Sequence, residues 1–367
     1  MAELPVDLVL PDVLAALSAG GTCVLQAPPG AGKTSRVPLA LLDHVAGKII
    51  MLEPRRLAAR AAAARLAEQL GEAVGARVGY RMRGDSVAGS RIEVVTEGIL
   101  TRMLQTDPAL PGVDVVIFDE FHERSLQADL GLALTWEVRQ ALRPDLHLIV
   151  MSATLDATPV AALLDGAPIV TSEGRSFPVD LRWLPRPLQK AKGFHAWIGQ
   201  VAALVQQAVS ETEGGVLVFL PGAGEIRALA GQLQGALPAD CVLRQLYGAM
   251  PFAEQRAAIR PEQAGRKVVL STSIAETSLT IEDIRVVVDA GRARRAAFDP
   301  RAGMSRLVTV PVSRAEATQR AGRAGRVAPG VAYKMWAKAA DGALPAFAQP
   351  EIEAADLTGL VLELAQW

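Results

Sequence analysis

The run Ala27-Pro-Pro-Gly-Ala-Gly-Lys-Thr-Ser35 gathers glycines, a lysine and two hydroxyls into one short stretch. Glycines let backbone N–H groups converge on an anion, and a helix that begins at the lysine aims its positive end at the same point. The set suits a row of phosphates. Gly30, Ala31, Gly32 and Ser35 would form the cradle, Lys33 would reach the outer two phosphates, and the Thr34 hydroxyl would meet a Mg2+ ion beside them. The strict pattern asks for glycine where Ala27 stands, so it is missed at one position. A second cluster, DEFHERS from Asp119 to Ser125, places two carboxylates at the end of the apolar run Val115–Phe118. Asp119 and Glu120 are expected in the metal's shell with Thr34. Glu120 is also expected to orient and deprotonate the attacking water. His122 has no histidine and cysteine cluster around it, so it is read as a hydrogen-bonding link toward a second domain and not as a zinc ligand.

Two further groups extend this chemistry. Ser152, Ala153 and Thr154 directly follow the apolar run LIVM, and small hydroxyl residues there can relay the state of the phosphates; the plain alternative is a helix N-cap. The segment QRAGRAGR, from Gln319 to Arg326, repeats arginine every third residue. If it faces the phosphates, Arg323 and Arg326 can stabilise the charge that develops on a transferred phosphoryl group. A merely solvated helix face explains it poorly, because each of Gly322 and Gly325 would cost such a helix about 1 kcal/mol.

These residues need a scaffold that presents loops at strand ends. Thr22–Gln26, Lys48–Leu52, Val113–Phe118 and Leu146–Met151 read as buried strands, with helices over Arg56–Leu70 and Leu126–Leu142. Apolar strands alternating with helices imply an α/β fold with mainly parallel sheets covered on both faces. A proline- and charge-rich break follows Glu173, and the pattern then restarts: helices over Phe194–Val209 and Gly224–Leu233, and strands at Val216–Leu220, Val242–Leu246, Lys267–Leu270 and Arg285–Val288. A helix over Arg314–Arg323, a strand at Val331–Met335 and an amphipathic helix near the end complete the reading. The expected domains are 1–175, 176–348 and, at 349–367, the start of a truncated helical or winged-helix accessory region.

Composition narrows the possible partners. The net charge of −1 supplies no general attraction to nucleic acid, and 4% aromatic residues argue against a broad stacking platform, so any such binding has to be local. Cys23 and Cys241 allow no disulfide framework and suit a reducing cytoplasm. No apolar stretch is long enough to suggest a membrane span, and a monomer is the expected state.

Taken in order, the motifs resemble those of DEAH-box helicases, specifically the bacterial HrpB type. They are APPGAGKTS, EPRRLAAR from Glu53, TEGILTR from Thr96, DEFHERS, SAT, VFLPG from Val218, STSIAETSLTIEDI from Ser271, and QRAGRAGR. The resemblance implies two tandem RecA-like domains, RNA-stimulated ATP hydrolysis with Mg2+, and 3′-to-5′ unwinding of single-stranded or structured RNA. It places Lys33, Thr34, Asp119, Glu120, Gln319, Arg323 and Arg326 around the nucleotide, and Arg55, Arg56, Thr96, Gly222 and Thr272 along a nucleic-acid track. Three positions depart from the pattern. Phe121 replaces a small residue, Ser273 stands where relatives often carry asparagine, and Arg292 stands where eukaryotic relatives place a phenylalanine against the base, with Arg65 as the opposite face. A helicase acting mainly on DNA, a P-loop ATPase acting on protein partners and a non-hydrolysing RNA scaffold are the alternatives; the last two leave EPRR, TEG and SIAETS, or the catalytic set, without a task.

Overall fold

The structure is a computed structural model that describes residues 3–153, 157–174, 177–186, 193–276, 281 and 283–367. The chain forms two compact units, one of residues 1–174 with 350–367 and one of residues 175–349. The first contains strands β1 (Thr22–Gln26), β2 (Lys48–Glu53), β3 (Val78–Met82), β4 (Asp85–Val87), β5 (Ile92–Thr96), β6 (Val113–Phe118), β7 (His147–Ser152) and β8 (Ile169–Thr171). Its helices are α1 (Leu10–Gly20), α2 (Lys33–Ala40), α3 (Arg56–Gln69), α4 (Glu97–Thr106), α5 (Leu126–Ala141) and α6 (Ala157–Leu163).

The strand order is β4-β3-β5-β2-β6-β7-β1-β8, parallel except for the β3–β4 pair. The strands alternate between two cores. Cys23, Leu25, Ile49 and Met51 face one, and Val24, Ile50 and Leu52 face the other. Helices cover both, which is why these strands read as unbroken apolar runs. Because the strands are parallel, the loops after β1, β2, β5, β6 and β7 emerge at one end of the sheet. Those loops hold APPGAGKTS, EPRR, TEG and DEFHERS, and Ala153 of SAT follows β7.

The second unit contains β9 (Val179–Leu184), β10 (Gly215–Phe219), β11 (Cys241–Leu246), β12 (Arg266–Ser271), β13 (Ile284–Asp289), the hairpin β14 (Arg292–Asp299) and β15 (Met304–Pro311), and β16 (Gly330–Ala337). Its helices are α7 (Phe194–Glu211), α8 (Ala223–Leu233), α9 (Phe252–Ile259) and α10 (Arg314–Gly322). The sheet order β11-β12-β10-β13-β16-β9 is parallel throughout. Val216, Val218 and Leu220 pack on one face, Leu217 and Phe219 on the other. Ser313 begins α10 with a capping box, its Oγ accepting from Glu316 N–H at 3.2 Å while Ser313 N–H donates to Glu316 Oε2 at 2.8 Å.

Two elements differ from the expected helices. α10 stops at Gly322, and Arg323–Gly325 form a 3-10 turn. The turn presses the chain onto the entrance to the unit, where Phe177 N–H donates to Gly325 O at 2.9 Å and a Cβ on Gly325 would lie 2.5 Å from Phe177 O. Near the end, the helix is confined to α11 (Thr358–Ala365), preceded by a 3-10 turn at Glu351–Glu353. Asp356 Oδ1 accepts from Thr358 N–H at 2.9 Å, a local bond that competes with an earlier helix start. Leu360 packs on the core of the first unit. Cys23 and Cys241 are free thiols, and burial pushes the Cys23 pKa up to about 12. Among the described residues, no helix is long and apolar enough to cross a membrane.

Candidate functional site

The glycine loop begins where β1 ends. Ala27 N–H donates to Ser152 O at 3.0 Å, which fixes the loop's first residue to the end of the neighbouring strand β7. Gly30 and Gly32 have φ of 88° and 98°, a left-handed conformation that side chains disfavour. At Gly32 the space is closed as well, since a Cβ would sit 2.7 Å from Leu4 Cδ1. Ala31 is buried, its N–H donating to Pro28 O at 3.2 Å. Ser35 Oγ donates to Gly32 O at 3.3 Å, within the first turn of α2. Lys33 folds back over the loop and its Nζ donates to Ala27 O at 2.6 Å. The ammonium is therefore held against the loop itself.

The acid loop meets this cradle directly. Thr34 Oγ1 donates to Asp119 Oδ2 at 2.5 Å, and Asp119 Oδ1 accepts from Glu120 N–H at 2.8 Å. Burial pushes the Asp119 pKa up to about 6 and the Glu120 charge adds to this, while Lys33, the Thr34 hydroxyl and Glu120 N–H oppose it. A hydroxyl beside adjacent carboxylates is an all-oxygen donor set, the kind a hard cation such as Mg2+ prefers. Glu120 has φ of 50°, an uncommon conformation for a side-chain-bearing residue. His122 Nδ1 accepts from Ala153 N–H at 3.3 Å and lies 3.5 Å from Glu120 Oε2. Burial is the first cause of its lowered pKa, with Glu120 and Glu123 opposing it. This bond joins the DEFH and SAT loops inside the first unit. Ser152 is buried at the end of β7, and Thr154 lies outside the described residues.

Phe121, the departure inside the acidic motif, is buried against Phe118, edge to face with ring centroids 6.3 Å apart. The Arg124 guanidinium lies over the Phe121 ring, 5.7 Å from its centroid. The loop is thus anchored in the core one residue after Glu120. Glu53, at the end of β2, escaped the sequence reading. It is fully buried near Asp119 and Glu120, and burial followed by the charges of those two carboxylates raises its pKa well above the usual range. Its place at a strand end, first in EPRR, was the available signal.

The remaining residues are distributed between the units. Arg55 pairs with Glu123 at 2.9 Å, Arg56 is exposed at the start of α3, Arg65 is exposed farther along it, and Thr96 ends β5. In the second unit Gln319 and Arg323 are buried, and Arg323 Nε donates to Glu276 O at 2.9 Å. Arg326 is half-buried. Arg320 is held by Asp289 at 2.9 Å and Glu276 at 3.3 Å. Thr272 N–H donates to Leu246 O at 3.2 Å. Gly222 lies so close to the Arg294–Glu225 ion pair that a Cβ would sit 2.9 Å from Arg294 Nη1. Arg292 stacks over Trp197 at 4.3 Å, a contact no spacing rule foresaw.

Comparison with known proteins agrees with this arrangement. A DEAD/DEAH box helicase family profile matches residues 10–163, and a profile for the helicase conserved C-terminal domain matches residues 199–328. The chain is 53% identical over 372 residues to the ATP-dependent RNA helicase HrpB of Escherichia coli (strain K12), covering 100% of this chain but 45% of that protein. It is 34% identical to the probable ATP-dependent RNA helicase DHX34 of Mus musculus, covering 99% of this chain and 33% of that one. A crystal structure of the Escherichia coli DEAH/RHA helicase HrpB superposes with a TM-score of 0.92 at 53% identity, over 99% of this chain and 46% of the other. The chain therefore spans less than half the length of these relatives. Each unit is RecA-like, and the chain belongs to the DEAD/DEAH box helicase family, matching the N-terminal portion of HrpB.

Proposed function

We propose that this chain is the motor portion of an ATP-dependent RNA helicase or translocase that moves 3′ to 5′. The observation that carries the reading is the 2.5 Å approach of Thr34 Oγ1 to Asp119 Oδ2, which brings the glycine loop and the acid loop to one point. ATP is bound through its phosphates by Gly30, Ala31, Gly32, Lys33, Thr34 and Ser35, with Arg65 and Arg292 toward the base. Thr34, Asp119 and Glu120 would hold Mg2+. When bound, the ion neutralises phosphate charge. Glu120 accepts the proton of the attacking water, and His122 Nδ1 holds the loop to Ala153 N–H. Gln319, Arg323 and Arg326 supply polar and positive groups to the transferred phosphoryl. Ser152 and Thr154 relay the outcome. Arg55, Arg56, Thr96, Gly222 and Thr272 contact the RNA backbone, which positions a strand without reading its sequence.

Comparing Glu120→Gln with the parent chain tests the chemical assignment. Binding of a fluorescent ATP analogue should stay within about twofold, while turnover falls by about 100-fold or more. Turnover near the parental rate would reject Glu120 as the base.

A further inference from the structure

The stretch from Asp119 to Ser125 is fastened to both loops that carry proposed strand contacts in the first unit. Arg55, in the turn after β2, pairs with Glu123 at 2.9 Å. Two residues farther on, Ser125 Oγ donates to Glu97 Oε1 at 2.5 Å, and Glu97 directly follows Thr96 as the first residue of α4. Ser125 is also the N-cap of α5, where its Oγ accepts from Ala128 N–H at 3.1 Å. The hydroxyl's donor and acceptor directions are therefore both committed, and it cannot turn without losing one partner.

The loop between Glu120 and Ser125 has little freedom of its own. Arg124 has φ of 49°, a left-handed conformation that costs an arginine about 1–2 kcal/mol and persists only where neighbours hold it. Its guanidinium pairs with Asp129 at 2.9 Å. Glu351 clamps the same place twice: its N–H donates to Arg124 O at 3.1 Å, and its Oε2 accepts from Leu126 N–H at 2.8 Å. With Phe121 seated in the core, the short segment 120–125 is a direct route from Glu97 to Glu120.

Building on the helicase reading above, we infer that Glu97 and Ser125 are positioning residues that carry strand occupancy at Thr96 and Arg55 to Glu120. They touch neither nucleotide nor strand. A filled track draws the start of α4 into one position, and the Glu97–Ser125 bond then sets the loop in the geometry that favours water activation. The warrant is a contiguous chain of bonds from one motif to the other.

The test compares the parent chain with Glu97→Ala, Ser125→Ala and the conservative variants Glu97→Gln and Ser125→Thr. ATP turnover is measured without polymer and with saturating single-stranded RNA, together with the KM for ATP and the Kd for RNA. Both alanine variants should lower the ratio of stimulated to RNA-free turnover by about fivefold or more, the lower end of ordinary site-to-site coupling. RNA-free turnover, KM and Kd should stay within about twofold. The conservative variants should restore the ratio. An unchanged ratio in both alanine variants, or an equal fall of both rates, overturns the coupling and leaves the helicase reading standing. A parent chain that no polymer stimulates overturns that reading, and the coupling with it.

Discussion

Arg320 Nη1 lies 2.9 Å from Asp289 Oδ1, with both side chains almost fully buried. Nε of the same arginine reaches Glu276 at 3.3 Å. The first arginine of QRAGRAGR is thus committed to holding α10 against Asp289 of β13 and against Glu276, whereas Arg326, six residues farther on, is half-buried.

Removing the buried partner leaves two carboxylates uncompensated. Arg320→Ala should destabilise the second unit by about 3–5 kcal/mol. Arg326→Ala should cost less than about 1 kcal/mol and instead reduce ATP turnover. Denaturant unfolding and turnover of the two variants separate the roles; equal stability losses would contradict the assignment.

Phe121 makes the acidic motif depend on the core. Phe121→Ala should destabilise the first unit by about 3–5 kcal/mol through the cavity beside Phe118. Well below the unfolding transition, turnover should remain within about threefold of the parent, because Asp119, Glu120 and His122 keep their places. A large loss of turnover in a folded variant would show that the ring shapes the chemistry.

Glu97 should leave a mark on stability as a function of pH. Burial pushes its pKa up from 4.5 to about 7; Glu123 and Glu351 add to this, while the Ser125 hydroxyl and Arg55 oppose it. Between those values the folded chain retains a proton that the unfolded chain has released, so stability falls as pH rises through this window. Glu97→Gln cannot titrate. The stability of the parent relative to this variant should therefore decline by about 1–3 kcal/mol from pH 5 to pH 8, as read by denaturant unfolding. A difference that stays flat across the window would show that Glu97 is not perturbed.

The parts legible in the sequence are those in which chemistry is local. Apolar runs such as Val113–Phe118 announce buried parallel strands, and Gly30 to Ser35 announce their cradle within a few positions. The hairpin β14–β15 was not legible. Its first strand, RARRAAFD, carries charges on a ribbon whose second strand is largely exposed, so it has no need of an apolar run. β4 is only three residues long, and β3 and β5 were not legible either. Glu53 beside Asp119, Glu276 beneath Arg320 and Trp197 under Arg292 depend on tertiary neighbours far away in sequence. His122 illustrates the same limit, since its residue type suggested a hydrogen-bonding link but only the fold identifies Ala153 as a partner.

The most direct measurement is ATP hydrolysis without polymer and with single-stranded RNA, single-stranded DNA and duplexes, for the parent chain and for Lys33→Ala. The account predicts a low rate without polymer, a rise of about fivefold or more with single-stranded RNA, and loss of turnover at every condition when Lys33 is removed. Hydrolysis that is indifferent to every polymer, or that survives loss of the Lys33 ammonium, would contradict it.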